Sequence, residues 1–122
     1  MAAQPVAGLK ILVVEDEAIV SFLLEDMLIE LGCAEIWLAG SVAQALALLR
    51  DKAPDLALLD VSLAGEFAYP VAERLVQLQI PFVFATGYGR KGIASEWQSR
   101  LVIQKPFDQE TLVLALAEAI GG

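Results

Sequence analysis

The sequence predicts a doubly wound α/β domain: one parallel sheet of five strands with five helices covering its two faces. Short apolar runs alternate with segments of helical periodicity, as expected for strands buried on both faces. Four of these runs also end in a polar residue: Glu15-Asp16 after Leu12-Val-Val14, Asp60 after Leu56-Ala-Leu-Leu59, Thr86 after Phe82-Val-Phe-Ala85, and Lys105 after Leu101-Val-Ile-Gln104. Composition agrees, since 57% hydrophobic and 20% charged residues suit a filled core under a modest charged shell. A chain of 122 residues is expected to form one domain and to bury roughly 65% of the surface its unfolded form would expose.

The elements follow in order. Residues 1–8 are taken as an N-terminal extension and 9–120 as the folded domain. The first strand lies near Leu9 to Val14. A helix over about Ala18 to Leu31 comes next, with Val20, Leu24, Met27, Leu28 and Leu31 on one stripe, Glu25, Asp26 and Glu30 off it, and Gly32 at its end. Strand two covers roughly Glu35 to Leu38. Ser41, with Gln44 three residues on, is a capping-box signature for a second helix whose inward stripe is Val42, Ala45, Leu46 and Leu49. Pro54 precedes strand three, Leu56 to Leu59. Pro70 suits the first turn of a third helix carrying Val71, Leu75 and Val76 inward, and Pro81 opens strand four. The glycine-rich stretch Gly87-Tyr-Gly-Arg-Lys-Gly92 leads to a weak fourth helix around Ala94 to Ser99, a segment expected to be mobile. After the fifth strand, Asp108 is placed to cap a last helix with Leu112, Ala115, Leu116 and Ala119 inward, stopping at Gly121. Phe82, Phe84 and Phe107 are assigned to the core.

The composition also excludes function classes. Sixteen acidic against eight basic residues give a formal charge of −8, a field that repels nucleic-acid phosphates. Cys33 is the only cysteine and histidine is absent, so an internal disulfide, a Cys/His zinc site and a Ser-His-Asp triad are ruled out. Cys33 reads as a small packing residue. No run approaches the ~20 apolar residues of a membrane helix, and the first residues lack the pattern of a signal peptide. A cytoplasmic protein with no membrane insertion is the expectation.

Ligands bind parallel α/β sheets outside the carboxyl ends of the strands, where the four polar endings collect. Carboxylates, a hydroxyl and an ammonium at one edge suit transfer of a phosphoryl group to a carboxylate, with a hard divalent cation neutralising charge. On this reading Asp16 and Asp60 are ligands of Mg2+ or Mn2+, Glu15 is a ligand through water, and Asp60 is also the nucleophile. Glu17 is placed to favour the first helical turn through the helix dipole.

With those residues placed, the chain resembles the receiver domain of two-component response regulators over nearly its whole length. Leu12-Val-Val-Glu-Asp16, Leu58-Leu-Asp60, Ala85-Thr-Gly87 and Lys105-Pro-Phe107 occur in the family's order and at family-like spacing. The resemblance implies a flavodoxin-like sheet of strand order 2-1-3-4-5, with Asp60 as phosphoacceptor, Asp16 as direct metal ligand and Glu15 as its partner. It implies that the backbone carbonyl of Ser62 completes the metal shell, that Thr86 turns toward the phosphoryl group, and that Lys105 binds it. The bond before Pro106 is typically cis in the family. More narrowly, Pro81-Phe-Val-Phe-Ala-Thr-Gly-Tyr-Gly89 resembles the signature of the FAT GUY group of single-domain receivers, a likeness supported by Leu59-Asp-Val-Ser-Leu-Ala-Gly-Glu66 and Tyr69-Pro-Val-Ala72. That group is associated with HWE-type histidine kinases and with general stress or related signalling.

Two positions depart from the pattern. Val102 stands where receivers usually carry the Tyr or Phe that swings inward on activation, so the signal is expected to use Gly87 to Gly92 and the weak fourth helix. Ala64 stands where many have proline. Tyr88 and Trp97 are the candidates for an output surface, and Trp37 reads as packing. The expected function is a single-domain regulator taking phosphate from a sensor histidine kinase or phosphotransfer protein and passing the signal to an unknown downstream protein, or acting as a phosphate sink. A constitutive interaction module with the receiver shape is the alternative. A phosphohydrolase is disfavoured because Ser62 stands where such enzymes commonly carry a second acid.

Overall fold

The computed structural model describes residues 5–121. In chain order its elements are β1 (Lys10–Val14), α1 (Ala18–Glu30), β2 (Glu35–Ala39), α2 (Val42–Asp51), β3 (Leu56–Asp60), β4 (Ser62–Leu63), β5 (Glu66–Phe67), α3 (Tyr69–Gln77), β6 (Phe82–Thr86), two 3-10 turns (Gly89–Gly92 and Ser95–Trp97), β7 (Val102–Gln104) and α4 (Gln109–Gly121). The main sheet runs β2-β1-β3-β6-β7, parallel throughout, which is the expected 2-1-3-4-5 once the small β4–β5 hairpin is set aside.

Successive side chains of a strand point to opposite faces, and the core divides accordingly. Leu12, Val14, Ala57, Leu59, Phe82 and Phe84 face α2 and α3. Ile11, Val13, Leu56, Leu58, Val83 and Ala85 face α1 and α4. Both faces of β3 and β6 are buried, so their sequences are near-continuous apolar runs without alternation. Each fully buried leucine of this set contributes about 1.5–3 kcal/mol of transfer free energy.

The helix ends follow local chemistry. Ser41 Oγ accepts from the Gln44 amide at 3.1 Å, while Gln44 Oε1 accepts from the Gly40 amide at 2.7 Å. Gly32 takes φ +87 as α1 ends, with its own amide on Ile29 O and that of Cys33 on Leu28 O, a Schellman closure. The same closure ends α3, but there Gln79 holds φ 60 without glycine's freedom. Val76 is 42% exposed, and Ala72, not Val76, joins Val71 and Leu75 in the core.

Three further features depart from the sequence reading. The expected fourth helix is replaced by the two 3-10 turns, because between Gly92 and Leu101 only Ile93 and Trp97 offer apolar anchors, too few for a helical stripe. Second, the residues after Asp60 form a hairpin in which Ser62 pairs with Phe67 and Leu63 with Glu66, turning through Ala64 (φ 50) and Gly65 (φ +89). Proline, fixed near φ −65, cannot occupy that position, so alanine there belongs to a different loop shape. Third, the segment before β1 packs onto the domain: Val6 is fully buried beside Ile11 and Leu28, and the Gly8 amide bonds Gly32 O at 2.9 Å. Residues 1–4 of the anticipated extension lie outside the described residues.

Candidate functional site

The carboxyl ends of β1, β3, β6 and β7 open onto one cavity of about 460 Å3. Asp16, Asp60, Ser62, Thr86, Tyr88 and Lys105 all line it, so six of the residues singled out from sequence are brought together there. Glu15 lies beneath, 4% exposed. Trp97 lies elsewhere, half-buried and stacked on Tyr69.

Lys105 organises the charge. Its Nζ donates to Glu15 Oε1 at 2.9 Å and to Asp60 Oδ2 at 3.0 Å. Glu15 Oε2 accepts from the Glu17 amide at 3.1 Å. Burial pushes the Glu15 carboxyl above its usual range, reinforced by the nearby Asp60 charge and only partly offset by Lys105 and the Glu17 amide. Burial alone would lower the Lys105 pKa, but bonds to Glu15 and Asp60, with their charges, hold it above the ordinary lysine value. The ammonium therefore stays charged across the neutral range, with two of its three donor positions engaged.

Asp60 and Thr86 are buried in the rows of the sheet, and Asp16 is exposed at its mouth. Asp60 Oδ1 accepts from the Ser62 amide at 3.3 Å, and Asp16 Oδ2 from the Ala64 amide at 3.1 Å, so the hairpin is tied to both acids. Thr86 Oγ1 accepts from the Tyr88 amide at 3.1 Å, which leaves its own proton free to donate. Gly92 sits so close that a Cβ there would lie 2.9 Å from Thr86 Oγ1. The Lys105–Pro106 bond is cis.

Carboxylate oxygens of Glu15, Asp16 and Asp60 come within 4.8 Å of one another. An all-oxygen set free of sulfur and imidazole fits a hard divalent cation and not a thiophilic metal. Sequence reasoning missed Phe67 and Gly65, which also line the cavity, and noted Ala64 only as a departure from proline. The one local signal was the Ala64-Gly65 dipeptide, a turn element, because the flanking Ser62-Leu63 and Glu66-Phe67 are too short to show a strand period.

Comparison with known proteins decides the family. The model of the response regulator receiver domain matches residues 11–117. The chain belongs to the receiver domain family. Among curated receivers it is similar to the sensory transduction protein LytT of Bacillus subtilis, 34% identical over 111 residues covering 85% of this chain and 45% of LytT. The chain spans about half the length of the curated relatives it matches. The solution structure of SdrG from Sphingomonas melonis is 41% identical, covers 98% of this chain and 99% of its own, and superposes with a TM-score of 0.79. The BeF3-activated conformation of SdrG gives 40% identity over the same shares and a TM-score of 0.80. As a receiver domain of response regulators, the chain is a signalling module of the phosphorelay type, with its acidic cluster where receivers bind Mg2+.

Proposed function

We propose that this receiver is a stand-alone, phosphorylation-controlled regulator that takes a phosphoryl group onto Asp60 from a histidine kinase or phosphotransfer protein, and that its output passes through contact with another protein. The observation that carries the reading is the Asp60 carboxylate bonded to Lys105 Nζ and clustered with the carboxylates of Glu15 and Asp16, in a cavity that Thr86, with its hydroxyl proton free, also lines. The stand-alone part draws support from SdrG, matched over 99% of its own length.

In the reaction an Asp60 oxygen attacks phosphorus as the phosphorus–nitrogen bond of the donor's phosphohistidine breaks. The bond electrons pass to the ring nitrogen, which takes a proton from water, and an acyl phosphate remains on Asp60. Asp16 and Asp60, with the Ser62 backbone carbonyl and Glu15 through water, would hold Mg2+ or Mn2+. That cation supplies charge neutralisation for the incoming phosphoryl oxygens. Lys105 has a third donor available for one such oxygen, and Thr86 can turn its proton to another. Tyr88, 82% exposed, bonds Thr86 Oγ1 through its amide and so borders that change at the surface. The net charge of −8 and the resemblance to FAT GUY receivers favour a protein partner over nucleic acid, with an HWE-type kinase as donor.

Asp60→Asn removes the nucleophile with little change of shape. The variant is expected to take no label from a phosphodonor in the presence of Mg2+, while wild type labels stoichiometrically; persistent stoichiometric labelling of the variant would remove Asp60 from its role.

A further inference from the structure

A continuous set of contacts leaves the Asp60 cavity and ends on the segment after β6. It starts at the two acids, because the amides of Ser62 and Ala64 bond Asp60 Oδ1 and Asp16 Oδ2, which fixes the hairpin's position to groups whose charge a phosphoryl and a cation would alter. Ser62 pairs with Phe67 across the hairpin, so a shift of one strand carries the other. Phe67 is 60% exposed at the cavity mouth and stacks on Tyr69, with ring centroids 5.5 Å apart. Tyr69 also stacks on Trp97, the ring planes nearly parallel at 4° and the centroids 6.1 Å apart. The Tyr69 hydroxyl oxygen accepts from the Ala94 amide at 2.8 Å, between the two 3-10 turns.

We propose that Tyr69 is a positioning residue that couples the state of the Asp60 cavity to the Gly89–Trp97 segment, its ring reading the hairpin through Phe67 and its hydroxyl holding Ala94. This rests on Asp60 being the phosphoacceptor. Physical reasons favour the hairpin as the moving part. It has only two residues per strand, its turn holds Ala64 at φ 50, and its strands pair only with each other. Phosphorylation of Asp60 would change the acceptor facing the Ser62 amide, and a cation held by Asp16 would draw on the carboxylate that the Ala64 amide also bonds. The receiving segment is held at its far side by Trp97, edge-on to Phe82 and Phe84. Tilt of the Tyr69 ring therefore bears on an indole and an amide at once.

The test compares backbone amide and Trp97 indole shifts without and with Mg2+ and beryllofluoride, in wild type, Tyr69→Phe and Tyr69→Leu. Wild type is expected to shift at Asp60, Ser62 and Thr86 and also at Ala94 to Trp97. In Tyr69→Phe the cavity shifts stay complete while those at Ala94 to Trp97 are roughly halved; in Tyr69→Leu the latter are lost. Wild-type shifts at Ala94 to Trp97 in Tyr69→Phe, accompanied by the same in Tyr69→Leu if that variant folds, overturn the proposal. So does a wild-type response confined to the cavity, which leaves Asp60 as the acceptor intact. Absence of any shift at Asp60 in wild type overturns the phosphoacceptor reading itself, a distinct result.

Discussion

At the scale of single residues, Lys105 decides whether the acids of the site can sit together. Its ammonium lies within 3.0 Å of both Glu15 and Asp60, and its side chain is 21% exposed. Removing one partner of an exposed pair costs about 0–1 kcal/mol and of a buried pair about 3–5 kcal/mol. This pair is intermediate, so Lys105→Ala is expected to lower stability by roughly 2 kcal/mol near neutral pH, read by urea denaturation. The sign of the pH dependence follows from Glu15. Its folded pKa is already raised by burial, and loss of the lysine raises it further, so the folded state holds a proton that the unfolded state has released. Stability of the variant should therefore recover as pH falls toward the ordinary carboxylate range; a deficit independent of pH would contradict this. Ser62 and Ala64 carry a second lesson at this scale. Both contribute a backbone amide to the acids, a role no side-chain identity announces.

At the scale of elements, α4 begins at a cap that titrates. Asp108 Oδ1 accepts from the Thr111 amide at 2.8 Å, and this bond, with the Thr111 side chain, holds the Asp108 carboxyl below its usual range. A lowered folded pKa means that the contribution is present above the unfolded value and is lost as pH falls through the folded one. The stability gap between wild type and Asp108→Ala should thus be constant near neutrality and narrow in acid, measurable by thermal unfolding at several pH values. How much of the fold the sequence disclosed also varies by element. Five strands and four helices were legible because each has a buried face long enough to leave a period, as in Leu24, Leu28 and Leu31 of α1. The β4–β5 hairpin was not, since two residues per strand are shorter than any period. The weak helix expected around Ala94 to Ser99 does not form, and no local pattern shows why, since Trp97 is fixed in place by Tyr69, Phe82 and Phe84 from elsewhere in the chain.

At the scale of the whole molecule, parallel strand direction explains why so much of the candidate site could be found without coordinates. Asp16, Asp60, Thr86 and Lys105 each follow an apolar run, and a parallel sheet gathers all such ends on one side. The aromatic stack from Phe67 to Trp97 joins residues distant in sequence and leaves no linear trace. The boundary of the fold is likewise a tertiary matter. Val6 fills a place among Ile11, Leu28 and Leu116, so we propose that the folded unit begins before Leu9, and Val6→Ala is expected to cost about 2 kcal/mol in chemical denaturation. A cost near zero would return that segment to the role of an appendage. One further contact shapes how the molecule can move. The Arg90 guanidinium bonds both Gln98 O and Arg100 O, joining the start of the post-β6 segment to its end. Residues 90 to 100 thus form a loop that one side chain closes on itself, so any change at Arg90 bears directly on the backbone at Gln98 and Arg100, just before β7.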